Sequence, residues 1–393
     1  MLFLGVISSV YMKDYIVFGQ PQISEDEIQE VVSTLRTNWV GTGPKVSAFE
    51  KSIQTYKSAS HAVAVNSCTA ALHLSLIALR LSPGDEVITT DMTFCSTVNA
   101  IIHSGATPVL VDCDLDSRNI SIDAINRAIT PKTKAIIPVH MAGYPCDMTS
   151  ILAIAKQHNL SIIEDCAHAI ESRYNGIPLG TLGDFGCLSF YATKNICTAE
   201  GGMILTKHPH SAKEVKQLAL HGLSSDAWSR FSDKGYKHYL VDFPGYKYNL
   251  TDLAASLGLR QMEKIDSFHQ KRQAIFRRYN EAFKSLPLRL PLDTPEEHTH
   301  GYHLYSPVIK PEFTAISRDD VLIQLHNSGI GVGVHYLGLH CHPYYKQSLL
   351  LNADDFPNSQ IISDNTFSLP LTPFLTENQV SRIISEVQSL FTN

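Results

Sequence analysis

Up to about residue 250 the chain alternates short, β-branched apolar runs with longer stretches whose apolar positions recur every three or four residues. "HAVAVN" precedes "TAALHLSLIALRL", "DEVITT" precedes "STVNAIIHSG", "TPVLVD" follows, and "KAIIPVH" leads through "MTSILAIAKQHN" to "LSIIED". Continuous apolar runs read as strands buried on both faces, and the helix-periodic stretches between them as the covering layers. The pattern predicts an α/β fold with a mostly parallel sheet between helices, a fold whose ligands collect at the carboxyl ends of the strands. Beyond residue 250 the texture changes. "TDLAASLGLRQMEKIDSFHQKRQAIFRRYNEAF" is helix-periodic with Thr251 as N-cap, and "HLYSPVIK", "SRDDVLIQLHNSGI" and "TENQVSRIISEVQSLF" read as a strand and capped helices. The expected division is an N-terminal extension over 1–15, a large domain over 16–255 and a smaller C-terminal α/β domain over 256–393.

Composition narrows the function. A chain of 393 residues is long enough for two cores. A net charge of -6 without a Lys/Arg tract argues against nucleic acid or an anionic membrane as partner, and no apolar run reaches bilayer length. Small-molecule chemistry remains. The eight cysteines (68, 95, 113, 146, 166, 187, 197, 341) form no C-x-x-C pair and lie in apolar segments, which reads as reduced, packed thiols of a cytoplasmic protein, with no metal site. The opening "MLFLGVISSVY" lacks a basic n-region and a small-residue cleavage site, so no signal peptide is expected and Met12 is an alternative start.

The chemistry concentrates in "LSFYATKNICTAEGGMIL". Lys194 stands between the apolar residues 187–192 and the pair Gly201 and Gly202; a lysine there either snorkels outward or reacts. Asp165 ends "LSIIED", where its carboxylate serves the ligand edge of the sheet or caps a helix. "VNSCTAALHL" puts Asn66, Ser67, Cys68 and Thr69 before a helix starting near Ala70, where N–H groups and the Thr69 hydroxyl can hold a phosphate or simply cap. Phe94, just past "DEVITT", is core or a stacking platform, and the Ser189 hydroxyl needs a partner. Together these groups suit pyridoxal 5'-phosphate: a lysine for an imine, a carboxylate for the ring nitrogen, an aromatic face and an anion cup. On that reading Lys194 is withheld from bulk water to react as a neutral amine. Bringing a lysine from its usual pKa of about 10.4 to about 7 takes roughly 4 to 5 kcal/mol, imposed by burial and neighbours.

The stretches "WVGTGPKVSAFE", "NSCTAALHL", "ITPKTKAIIPVHMAG", "IIEDCAHAI", "LGDFGCLSFYATKNICTAEGGMI", "HGLSSDAW", "PGYKYNLTDLAASLGLRQM" and "GIGVGVHY", in this order, resemble the DegT/DnrJ/EryC1/StrS family of sugar aminotransferases from about residue 16 to the end. Through "GYKYNLTD" the likeness is greatest to transaminases of UDP-linked 4-keto sugars, of the UDP-4-amino-4-deoxy-L-arabinose synthase type. The resemblance implies the pyridoxal-phosphate fold of type I, with a mostly parallel seven-stranded sheet and a homodimer with composite sites. It implies that Lys194 binds the cofactor and shuttles a proton, that Asp165 keeps the pyridine nitrogen protonated, and that Phe94 stacks on the ring. His168 would lie against the cofactor near Asp165, the alternative being a satisfied core histidine. The phosphate would be held by Ser67, Cys68, Thr69 and Ser189, with Asn249 reaching over from a second subunit; many relatives carry Gly or Ala where Cys68 stands. L-glutamate would load the amine and a nucleotide-linked keto sugar would accept it. Thr42, Lys45, His221, Lys247 and His335 are candidates for the sugar nucleotide, or else ordinary surface residues. The alternatives are a 3-keto-sugar aminotransferase, a sugar dehydratase, whose branch replaces the lysine by histidine, and a non-catalytic pyridoxal-phosphate-binding regulator.

Overall fold

A computed structural model of the chain describes residues 15–224, 238 and 240–391. Residues 1–14, with Met12, lie outside the described residues, as do 225–228 of "HGLSSDAW". The apolar runs become β1 (His61–Val65), β2 (Glu86–Thr90), β3 (Thr107–Val111), β4 (Thr133–Ile137), β5 (Ser161–Asp165), β6 (Phe185–Ser189) and β7 (Gly202–Thr206). They form one sheet in the order β1-β7-β6-β5-β4-β2-β3. β7 runs antiparallel to β1 and β6, and the other pairings are parallel.

Alternation within each strand divides the sheet between two cores. Ala64, Ile88, Ile136, Ile162 and Met203 pack on one face with α2 (Pro44–Tyr56), α5 (Ile122–Ala128), α6 (Met148–His158) and α8 (Asp252–Met262). Val63, Val87, Ala135, Ile163 and Ile204 pack on the other with α3 (Cys68–Ala78), α4 (Cys95–His103) and α7 (Pro209–Leu218). Two further helices are α1 (Glu25–Arg36) and α9 (Ile265–Phe283). Burial on both faces is why these strands read as continuous apolar runs.

A third core joins Phe276, Tyr279 and Phe283 of α9 to residues of α10 (Arg318–Asn327) and of the last helix, Glu377–Phe391. Thr251 caps α8, its side chain accepting from the Ala254 N–H. The expected division after residue 255 falls inside α8, whose Ala255 and Met262 belong to the first core, as does Ile265. The change of core therefore comes along α9. Ile16, expected in the large domain, packs in the third core and bridges Ile330. Among the described residues no helix is long and apolar enough to cross a membrane.

Candidate active site

A cavity of about 630 Å³ opens where β5 and β6 end. Ser67, Cys68, Thr69, Phe94, Asp165, His168, Ser189 and Lys194 line it, and Phe18, His303, His335, Tyr336 and Phe374 are among its other lining residues. All the cofactor residues expected from the sequence meet here except Asn249. Asp165 is the last residue of β5 and Ser189 the last of β6, so strand length alone delivers both to the carboxyl edge.

Lys194 is half-buried, and its backbone N–H donates to the Tyr191 carbonyl at 2.8 Å. Burial pushes its amine down to about 8, against the weaker opposing pull of Cys68 and Asp165. Asp165 is buried; Oδ2 accepts from Thr97 Oγ1 at 2.9 Å and Oδ1 from the Ala167 N–H at 3.1 Å. Burial raises its carboxyl despite these bonds and Lys194. A buried carboxylate of this kind is poised for a cationic partner such as a protonated pyridine. On the expectation that Lys194 binds the cofactor, and because only the neutral amine attacks an aldehyde, covalent uptake of pyridoxal phosphate by cofactor-free protein should rise with pH and level off above about 8. A rate independent of pH from about 6 to about 10 contradicts this assignment.

His168 Nδ1 accepts from the Ala142 N–H at 3.3 Å, so in the neutral ring Nε2 carries the proton and donates to Tyr336 Oη at 3.1 Å. Burial, then Lys194 and His335, hold His168 well below the ordinary histidine range. Phe94 is 56% exposed despite its size, and its ring lies 5.9 Å from Tyr336. The core reading of Phe94 therefore fails, and an aromatic face is left to the cavity. The helix after β1 begins at Cys68, earlier than the sequence suggested, because Ser67 is its N-cap and accepts from the Ala70 N–H at 3.0 Å. Its first-turn N–H groups, at Cys68 and Thr69, are of the kind that an anion satisfies. Gly202 lets β7 press on that turn: a Cβ there would lie 2.4 Å from the Ser67 carbonyl. The buried Asp165, the open Phe94 face and the helix start together fit the pyridine, ring and phosphate of the cofactor.

Of the five sugar-nucleotide candidates, His335 alone lines this cavity. Its Nδ1 lies 2.8 Å from Ser368 Oγ, its ring stacks on Phe18, and burial with Lys194 lowers it to about 4. Asn249 donates to Thr42 Oγ1 at 2.6 Å, and both border a smaller cavity of about 270 Å³. Lys45 is ion-paired with Glu30, while Lys247 and His221 are exposed.

The sequence reading missed Thr97, Tyr336, His303 and Asn195. Tyr336 ends the quoted "GVHY", and Asn195 follows the lysine, but neither carries a periodic or charge signal of its own. The eight cysteines are all free. His140, Glu164 and Cys166 offer ligand atoms within 4.8 Å of one another, yet Glu164 is already engaged. It accepts from His140 Nε2 and from the N–H groups of Gly180, Leu182 and Gly183. His140 Nδ1 accepts from the Cys146 N–H. This is a hydrogen-bonded brace below Asp165.

Over residues 21–388 the sequence matches the DegT/DnrJ/EryC1/StrS aminotransferase family. The chain belongs to this family. The aminotransferase is 42% identical over 377 residues to the spore coat polysaccharide biosynthesis protein SpsC of Bacillus subtilis (strain 168), covering 96% of this chain and 97% of that protein. Among solved structures, the putative sugar aminotransferase Spr1654 of Streptococcus pneumoniae, in its PMP form, is similar with a TM-score of 0.90 and 36% identity, covering 95% of this chain and 98% of that one. Helicobacter pylori PseC, an aminotransferase involved in the biosynthesis of pseudoaminic acid, gives 0.88 and 26%, covering 96% and 99%. The aminotransferase accordingly has the fold of pyridoxal-phosphate-dependent sugar aminotransferases, uses that cofactor, and acts on a sugar.

Proposed function

We propose that the aminotransferase moves the amino group of L-glutamate to the C4 ketone of a UDP-linked sugar, in the cytoplasm, for surface polysaccharide, lipid A or other glycan assembly. The observation that carries the transamination chemistry is the enclosed Lys194 beside the buried Asp165. The choice of sugar is supported by the wording of "TGPK" and "GYKYNLTD", and its destination by the naming of SpsC as a polysaccharide biosynthesis protein.

Bound pyridoxal phosphate supplies an aldehyde that holds the amine and a ring that draws electrons from the reacting carbon. Lys194 would hold the cofactor covalently and, as a neutral amine, would take up and give back the proton that moves during amino-group transfer. Asp165, oriented by Thr97, holds a proton on the pyridine nitrogen. Phe94 and His168 offer ring faces, and His168, uncharged, does not compete for the Asp165 carboxylate. The test is a panel of UDP- and dTDP-linked keto sugars. Glutamate-dependent amination of a UDP-linked 4-keto pentose or 6-deoxy-N-acetylhexosamine is expected; activity with dTDP-linked 3-keto sugars alone refutes both nucleotide and carbon.

The position of Asn249 outside its own chain's large cavity supports a homodimer in which it completes the partner's phosphate site. Asn249→Ala and Lys194→Ala, each inactive, should complement when co-expressed. Half of randomly paired dimers are mixed, each with one intact site, giving about a quarter of wild-type activity. A fully active monomer, or no recovery, rejects the composite site.

A further inference from the structure

Lys194 is followed by Asn195, whose amide is held by three separate segments. Its Nδ2 donates both hydrogens, to Glu171 Oε2 and to the Gly301 carbonyl, each at 2.8 Å. Its Oδ1 faces His303 Nδ1 at 2.9 Å. Because both amide hydrogens are committed, Oδ1 accepts and His303 Nδ1 donates. Glu171 in turn accepts from Arg272 Nη2 through its other oxygen, and both residues of this ion pair are buried. Arg272 belongs to α9, so the chain of contacts runs from the helix that begins the third core to the residue beside the reactive lysine.

This pair is a poor source of stability. Taking two charges out of water offsets most of their attraction. Arg272 also has Nε and Nη1 enclosed without a partner, which adds a desolvation penalty. What the arrangement does supply is geometry: a fixed carboxylate that admits one orientation of Asn195. We infer that Glu171 and Arg272, acting through Asn195, are positioning residues that fix the Lys194 amine in the cavity. The inference rests on Lys194 being the amine that reacts with the cofactor. With the Lys194 backbone N–H on the Tyr191 carbonyl and the next residue's amide held by three segments, the main chain that carries the amine is fixed where burial lowers its basicity. With the hold on Asn195 lost, the main chain at Lys194 would be free to carry the amine towards solvent.

The test uses full-length cofactor-free protein with pyridoxal phosphate as probe. In Asn195→Ala the pH midpoint for covalent uptake should move up from about 8 towards the ordinary 10.5. With cofactor bound, kcat should fall by about ten- to a hundred-fold, with the KM for glutamate little changed, as expected for misplacement of a reacting group. A double variant, Glu171→Met with Arg272→Met, removes both charges together; it should melt no lower than the wild type and show the same shift. An unchanged midpoint and kcat in Asn195→Ala overturns the inference whatever the double variant does. A midpoint shift that appears only together with a lowered melting temperature assigns the residues to stability alone and also overturns it. Lys194→Ala run alongside separates the two readings: if it retains turnover, the assignment of Lys194 fails, whereas an inactive Lys194→Ala beside an unaffected Asn195→Ala rejects only the positioning role.

Discussion

Replacing Lys194 by alanine should abolish transamination while leaving a folded protein that still takes up pyridoxal phosphate noncovalently. Among the described residues lining the large cavity, Lys194 is the only lysine. Lys57, which is fully buried, is also lowered by burial to about 8, but its Nζ donates to the Ala169 and Ile170 carbonyls and it does not line the cavity. No neighbour can take over the covalent link and the proton transfer; the latter alone is worth about 10²–10⁴-fold. Single-turnover absorbance with glutamate is the measurement, and turnover within ten-fold of wild type would refute the assignment. A stability effect accompanies it. The folded Lys194 amine sits at about 8 against 10.5 unfolded, so the unfolded chain binds more protons between those values and wild-type stability rises with pH across that window. Below it the lysine is a destabilising element, and cofactor-free Lys194→Met should melt higher than wild type at pH about 7, an advantage that shrinks by pH about 10.

Asp165→Asn should lower the rate by about 10³-fold with modest loss of cofactor, since a neutral amide cannot hold the pyridine proton against burial. Thr97 and the Ala167 N–H would still orient the side chain, so the defect isolates charge from position. A cofactor analogue methylated on the ring nitrogen, cationic whatever faces it, should restore part of the lost rate. Near wild-type activity in Asp165→Asn would show that the carboxylate only braces the turn after β5.

Local sequence made Asp165, Ser189 and Lys194 legible because each interrupts or ends an apolar run, and a polar residue in such a place must have a reason. The segment 66–69 was legible as a helix start but ambiguous between cap and anion cup, because capping and phosphate binding use the same N–H groups. Phe94 was undecidable locally, since an aromatic after a strand is core unless tertiary structure leaves its face open. The wall formed by His303, His335 and Tyr336 comes from segments more than a hundred residues beyond Lys194, where the strand signal was weak: "HLYSPVIK" yields only the two-residue strand Val308–Ile309. Thr97 and Asn195 act through hydrogen bonds to distant partners, Asp165 and Glu171, and such pairings leave no periodic trace in one sequence.

The antiparallel seating of β7 between β1 and β6 has a consequence for biosynthesis. Val65 is paired with Gly202, so on the order of 140 residues must leave the ribosome before β1 meets its neighbour in the sheet. Until then Val63 and Val65, destined for the core, sit on an open strand edge, a surface that invites aggregation or chaperone capture. The helix start proposed to hold the phosphate is completed by the same event, because Gly202 closes on the turn at Ser67. The far wall, with Tyr336 and Phe374, emerges later still. Cofactor capture is therefore a post-translational step of nearly the whole polypeptide, and a nascent fragment ending before β7 should be recovered with chaperones rather than with pyridoxal phosphate.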